Sequence, residues 1–62
     1  MRPFTLEVET IEGDEIDLEG TKAELVRGRN VVIGFGCEIE RVEYSGTLQI
    51  DKAARVNEQI KV

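Results

Sequence analysis

Residues 42–62 read VEYSGTLQIDKAARVNEQIKV, and apolar residues recur in this stretch as pairs separated by one position. Successive pairs begin at residues 42, 48, 54 and 60, so the repeat is six residues long. The pairs are Val42/Tyr44, Leu48/Ile50, Ala54/Val56 and Ile60/Val62. Because alternate side chains of a strand point to the same side, each pair predicts a short strand with two inward residues, followed by a corner.

Two earlier pairs, Val31/Ile33 and Cys37/Ile39, are also six residues apart, and a step of five joins them to Val42. Three sides of this length would make a coil of about 18 residues, which is typical of a β-solenoid. On that spacing we expect Val42 to lie beneath Ile60, and Tyr44 beneath Val62.

The predicted fold is therefore all-β: a short parallel β-helix (β-solenoid) of about two to three coils with an irregular amino-terminal strand. Upstream of Asn30 the spacing of apolar residues loosens, and the pairing of residues 1–25 is left open. An up-and-down barrel is disfavoured because no Asn-Gly or Asp-Gly turn lies between alternating runs.

At 62 residues the chain is expected to form a single small domain, residues 1–62, either complete in itself or part of a longer protein. A domain of this size buries only ~60% of its unfolded surface, so its stability is marginal. Self-association is the stabilising device that best suits this composition.

The composition argues against several classes of partner. The net charge is −5, whereas binding to nucleic acid or to anionic lipid requires clustered Lys and Arg. No stretch approaches the ~20 apolar residues of a membrane span. The single cysteine, Cys37, cannot form an intrachain disulfide, which favours a reducing compartment and predicts a cytoplasmic location.

The carboxy-terminal half resembles a known family. Gly46-Thr47-Leu48-Gln49-Ile50, followed by Ala54-Arg55-Val56 and Ile60, is similar to the bactofilin repeat, in which Gly-x-Val-x-Ile precedes Ala-x-Val and another inward aliphatic residue. Residues 30–44 also look like the carboxy-terminal part of bactofilin-like proteins from Gram-positive bacteria. The resemblance covers about half the chain. It implies a non-enzymatic cytoskeletal protein that polymerises without a nucleotide through stacked coils.

The residues themselves predict no catalytic site, no metal site and no cofactor. The chain has no histidine, so neither a Ser-His-Asp triad nor the usual His-containing zinc site can be built from it. We expect Cys37 to act as a small apolar core residue. The acidic run Asp14, Glu15, Asp17 and Glu19 lacks the spacing of an EF-hand loop, and Gly34-Phe35-Gly36 lacks the following Lys and helix of a phosphate-binding loop.

The leading functional hypothesis is self-association through the open ends of the coil, giving a homo-oligomer. We expect Leu6 and Val8 to lie at one end, and Ile60 and Val62 at the other. Phe35, between two glycines at a corner, is expected to project into solvent and contact a partner protein. The alternative hypothesis is a small regulatory β-module that binds a ligand or a peptide.

Overall fold

The computed structural model describes residues 6–62, and side chains from residue 7 onward. It contains four β-strands: β1 (Leu6–Leu18), β2 (Thr21–Ile33), β3 (Glu38–Ile50) and β4 (Arg55–Lys61). Each pairs in parallel with the next, in the order β1-β2-β3-β4. Among residues 6–62 there is no helix that could cross a membrane.

The lengths of the strands and of their connections require the chain to coil. Each of the first three strands has 13 residues, and a straight strand of that length would extend about 43 Å at ~3.3 Å per residue. Only Glu19 and Gly20 connect β1 to β2, and two residues span at most ~7 Å. Each strand must therefore bend around a common axis and return to its starting side. This confirms the predicted β-solenoid, which has about three turns.

The core is built from columns of inward side chains, one layer above the next. The register places Val8, Ala23, Ile39 and Val56 in a single column through all four strands. Three further columns are Ile11–Val26–Val42, Ile16–Val31–Leu48 and Leu18–Ile33–Ile50. Their middle members, Val26, Val31 and Ile33, have a layer on either side and are fully buried. Val42 is also fully buried, because Gln59 of β4 lies above it.

The coil is shorter than predicted. Partners are 15 residues apart between β1 and β2, 16 and then 17 apart between β2 and β3, and 17 apart between β3 and β4. The expected pairing of Val42 with Ile60 and of Tyr44 with Val62 is therefore wrong: Gln59 pairs with Val42 and Lys61 with Tyr44, while Ile60 pairs with Glu43.

The error has a local cause. The six-residue spacing needed an extra corner residue between Val56 and Ile60, but β4 follows β3 residue by residue with no register shift. The described ladder has one register shift, between Gly28 and Asn30. The loosened spacing seen upstream of Asn30 corresponds to the shorter first coil, in which β1 keeps a constant register with β2.

Two successive corners each contain a glycine in the left-handed region. Gly20 and Gly36 have φ values of 61° and 76°, a region that residues with a Cβ rarely occupy. The N–H of Gly20 donates a 2.9 Å hydrogen bond to the carbonyl oxygen of Phe35, so the corners of successive coils are tied to each other.

Candidate functional site: the two ends of the solenoid

β1 and β4 are the edge strands of the described sheet, and they define two ends. We call the surface formed by β1 the amino-terminal end. The surface formed by β4 together with residues 47–50 is the carboxy-terminal end, because β4 pairs with β3 only as far as Tyr44. An edge strand directs backbone N–H and C=O groups away from the sheet, so such an end favours the addition of another strand.

The amino-terminal end is apolar inside and acidic outside. Val8, Ile11 and Leu18 pack against the core but remain partly exposed, whereas Ile16 is only 6% exposed. All six charged residues of β1 are acidic and exposed. They are Glu7, Glu9, Glu12, Asp14, Glu15 and Asp17.

The carboxy-terminal end is also apolar inside but carries both signs of charge. Tyr44, Leu48, Ile50 and Val56 pack on the core and are partly exposed. They are partly exposed because the columns of inward residues end here and little or nothing covers their last members. β4 contributes two basic residues and one acidic residue to the outer surface.

The structure separates the residues predicted for self-association into three places. Leu6 begins β1, and its side chain lies outside the described part of the structure. Val8 is partly buried at the amino-terminal end. Ile60 is partly buried next to Glu43, and Val62 is 69% exposed at the carboxy-terminal end, where its N–H donates to the carbonyl oxygen of Tyr44 at 2.8 Å.

Phe35 lies at neither end. It follows β2 at the corner that leads to β3, and its side chain is 66% exposed, as the sequence predicted. Cys37, after the same corner, is 1% exposed and packs in the hydrophobic core, which confirms the prediction made for it.

An ion-pair ladder runs along the outside of the solenoid. Arg27 Nε lies 3.0 Å from Glu43 Oε1, and Arg27 Nη1 lies 3.2 Å from Glu12 Oε2. The hydrogen bond and the charge of Glu43 raise the pKa of Arg27 above its usual value. Arg41 extends the ladder to β4 through Glu58 Oε1 at 3.5 Å.

A second ladder, made of side-chain hydrogen bonds, joins Glu15, Asn30 and Thr47, and only Glu15 of these is charged. Thr47 Oγ1 donates to Asn30 Oδ1 at 3.1 Å, and Asn30 Nδ2 donates to Glu15 Oε2 at 3.5 Å. The sequence does not show which residues form either ladder, because their members are 15 to 17 residues apart and can be matched only when the register is known.

An open groove of about 640 Å³ runs along one side of the solenoid. It is lined by matching segments of all four strands, in which the inward residues Val8, Ala23 and Ile39 are flanked by outward polar residues. Two rows of outward residues line it: one alternates in charge, Glu7, Lys22, Glu38 and Arg55, and the other is mainly acidic, Glu9, Glu24, Glu40 and Asn57. Asn57 Nδ2 donates to Glu40 Oε2 at 2.8 Å. Within residues 6–62, no three His, Cys, Asp or Glu side chains form a group that could hold a metal ion.

Comparison with known proteins identifies two relatives, both from Bacillus subtilis (strain 168). The chain is 51% identical over 57 residues to the uncharacterized protein YhbE, an alignment that covers 92% of this chain and 24% of YhbE. It is 41% identical over 54 residues to the uncharacterized protein YhbF, covering 87% of this chain and 23% of YhbF. No protein-family model matches the chain, and no solved structure matches it. The chain thus spans about a quarter of the length of the curated relatives it matches.

Proposed function

We propose that this chain is a non-enzymatic structural module that self-associates through the two ends of its solenoid, in the manner of bactofilin-like polymer-forming proteins. The observation that carries the proposal is that β1 and β4 are both edge strands with partly exposed apolar residues inside them. A second copy docked on an end would bury those residues and pair the outward backbone groups. The resemblance of residues 46–60 to the bactofilin repeat supports the same function.

The size of the chain supports this proposal. The most enclosed side chains belong to the middle layers, whereas both end layers leave apolar groups partly in water. A domain of 62 residues has a small free energy of unfolding. Burying the apolar groups of one end would therefore stabilise the fold by an amount that is large relative to that free energy. The proposed location is the cytoplasm, since a lone buried thiol such as Cys37 suits a reducing compartment.

The test is sedimentation velocity from micromolar to millimolar concentration, with negative-stain electron microscopy of the same samples. We expect the weight-average sedimentation coefficient to rise with concentration. Val62→Lys should weaken this rise, because it places a charge at the carboxy-terminal end. Val32→Lys is the matched control: Val32 is 37% exposed on an outer side, so this variant should assemble like the parent. A strict monomer at millimolar concentration would refute the proposal.

The groove supports the alternative, a module that binds a ligand or peptide. Its carboxylates, among them Glu9, Glu24 and Glu40, suit a basic extended peptide. Titration of a lysine-rich peptide, followed by isothermal calorimetry, tests this function. Saturable binding to the parent chain that is lost in Glu24→Gln favours the alternative; heat that reflects only dilution rejects it.

A further inference from the structure

The net charges of the strands alternate in sign along the axis. β1 has six acidic residues and no basic ones; β2 has three basic and one acidic. β3 has three acidic and one basic; β4 has two basic and one acidic. The net charges are therefore −6, +2, −2 and +1 from β1 to β4.

The alternation suits the geometry of a parallel stack, although one outward column, Glu9–Glu24–Glu40, places like charges in adjacent strands. Matching side chains of adjacent strands lie about 5 Å apart, so opposite charges attract across a layer and like charges repel. Arg27 of β2 shows the attraction directly, because it contacts Glu12 of β1 at 3.2 Å and Glu43 of β3 at 3.0 Å. The contact of Arg41 with Glu58, at 3.5 Å, continues it between β3 and β4.

We propose that self-association is polar: the amino-terminal end of one copy docks on the carboxy-terminal end of the next. This inference rests on the proposed function and adds its direction. In a contact between two amino-terminal ends, the six acidic residues of β1 meet the same six of the partner. In a contact between two carboxy-terminal ends, both edge strands have a net charge of +1. Only head-to-tail stacking places a negative strand on a positive one and continues the alternation.

The direct test uses two variants that each block one end. Val8→Lys and Val56→Lys alter the first and last members of the same inward column. Head-to-tail association predicts that each variant alone sediments as a monomer, because every contact needs both kinds of end. An equimolar mixture should form a heterodimer and stop there, since one free end of each kind remains available. Circular dichroism establishes that both variants keep the β-sheet signal.

Homodimers in this test identify the other arrangements. A dimer of Val8→Lys alone means that two carboxy-terminal ends meet, and a dimer of Val56→Lys alone means that two amino-terminal ends meet. Either result overturns the polarity but leaves self-association intact. If the parent chain itself stays monomeric at millimolar concentration, the proposed function fails, and the polarity fails with it.

A second pair of variants tests the polarity without changing an inward residue. Glu7, Lys22, Glu38 and Arg55 form one outward column of alternating charge, and head-to-tail stacking continues it from Arg55 of one copy to Glu7 of the next. Glu7→Gln removes the charge at the amino-terminal end of this column, and Glu38→Gln, inside the column, is its control. At low salt, Glu7→Gln should raise the dissociation constant by about twofold or more relative to the control, and the difference should disappear at high salt. If Glu7→Gln instead tightens association, two acidic ends meet and head-to-tail stacking is wrong.

Discussion

Gly28 lies against the backbone of Gly13 in the coil before it. A Cβ atom built on Gly28 would stand 2.7 Å from the carbonyl oxygen of Gly13 and 2.8 Å from Cδ1 of Ile16. Gly28 pairs with Gly13 and can lie this close to it because Gly28 has no Cβ. In the third coil the matching residue is Tyr44, so the solenoid has room for a large side chain there but not at Gly28.

Gly28→Ala is therefore expected to destabilise the fold by about 1–3 kcal/mol, because the added methyl group has to displace backbone as well as side-chain atoms. Gly13→Ala is the matched control. A Cβ on Gly13 would meet Cγ1 of Ile16 at 3.7 Å, an ordinary contact. Urea denaturation of both variants measures the difference, and equal free energies of unfolding would mean that the coils are not stacked this closely.

The register of β4 predicts an unusual stabilising substitution. Gln59 pairs with Val42 at the end of an otherwise apolar column, whereas Ile60 pairs with Glu43 and is absent from the residues packed against the core. Gln59→Val should raise the free energy of unfolding by about 0.5–1 kcal/mol by extending the column. Ile60→Gln should cost about 1 kcal/mol, since Ile60 is only partly buried. A Gln59→Val variant that is no more stable than the parent would favour the register that the six-residue spacing predicts.

Alternation of apolar and polar residues identified Leu48/Ile50 and Ala54/Val56 as inward pairs, and their recurrence identified a parallel coil. Inward positions filled by other residue types were missed, since hydrophobic pattern does not reveal them. Thr21 is 3% exposed, and its hydroxyl donates to the carbonyl oxygen of Glu19; Gly28 has no side chain to count.

The candidate site was predictable only in part, for a related reason. The ends follow from the fold, and Phe35 was expected in solvent because glycines flank it. The ladder around Arg27 and the groove that contains Glu24 depend on which residues lie in adjacent layers. That depends on the number of residues at each corner, which varies from coil to coil and is only partly visible in the hydrophobic pattern.

The ladder around Arg27 should make a salt-dependent contribution to stability. Arg27→Gln removes the contacts with Glu12 and Glu43, so we expect a lower thermal midpoint at low ionic strength and convergence with the parent at high salt. Arg29→Gln, on the same strand, is the control for loss of one positive charge. A deficit that persists in high salt would point to lost packing of the Arg27 side chain.

The pH dependence of this contribution has a definite sign. The hydrogen bond and the charge of Glu43 raise the pKa of Arg27 in the folded state above its usual value. Stability from a raised pKa is fully present below the unfolded pKa and is lost only as the pH rises through the folded one. The difference in the free energy of unfolding between Arg27→Gln and the parent should therefore stay constant as the pH is raised from about 7 to about 10. A difference that shrinks over that range would contradict the assignment.

Cys37 is expected to react only when the chain unfolds. Its side chain is 1% exposed, and its carbonyl oxygen accepts a 2.9 Å hydrogen bond from the N–H of Arg55, so the next layer covers it. A thiol-specific reagent should label the native protein at the rate of global or local opening and should label urea-unfolded protein at once. Cys37→Ser should cost about 1 kcal/mol more than Cys37→Ala, because a buried hydroxyl requires a partner. Rapid labelling of the native state would show that the carboxy-terminal coil opens readily.

A variant at Phe35 distinguishes association through the ends of the solenoid from association through its sides. Its backbone is held by the hydrogen bond from Gly20, and its side chain is 66% exposed at a corner away from both ends. Phe35→Ser should therefore leave the free energy of unfolding within about 0.5 kcal/mol of the parent value. Association through the ends should also be unchanged, as measured by sedimentation velocity beside Val62→Lys. If Phe35→Ser weakens association while Val62→Lys does not, the contact between copies lies on the side of the solenoid, and the edge strands are not its basis.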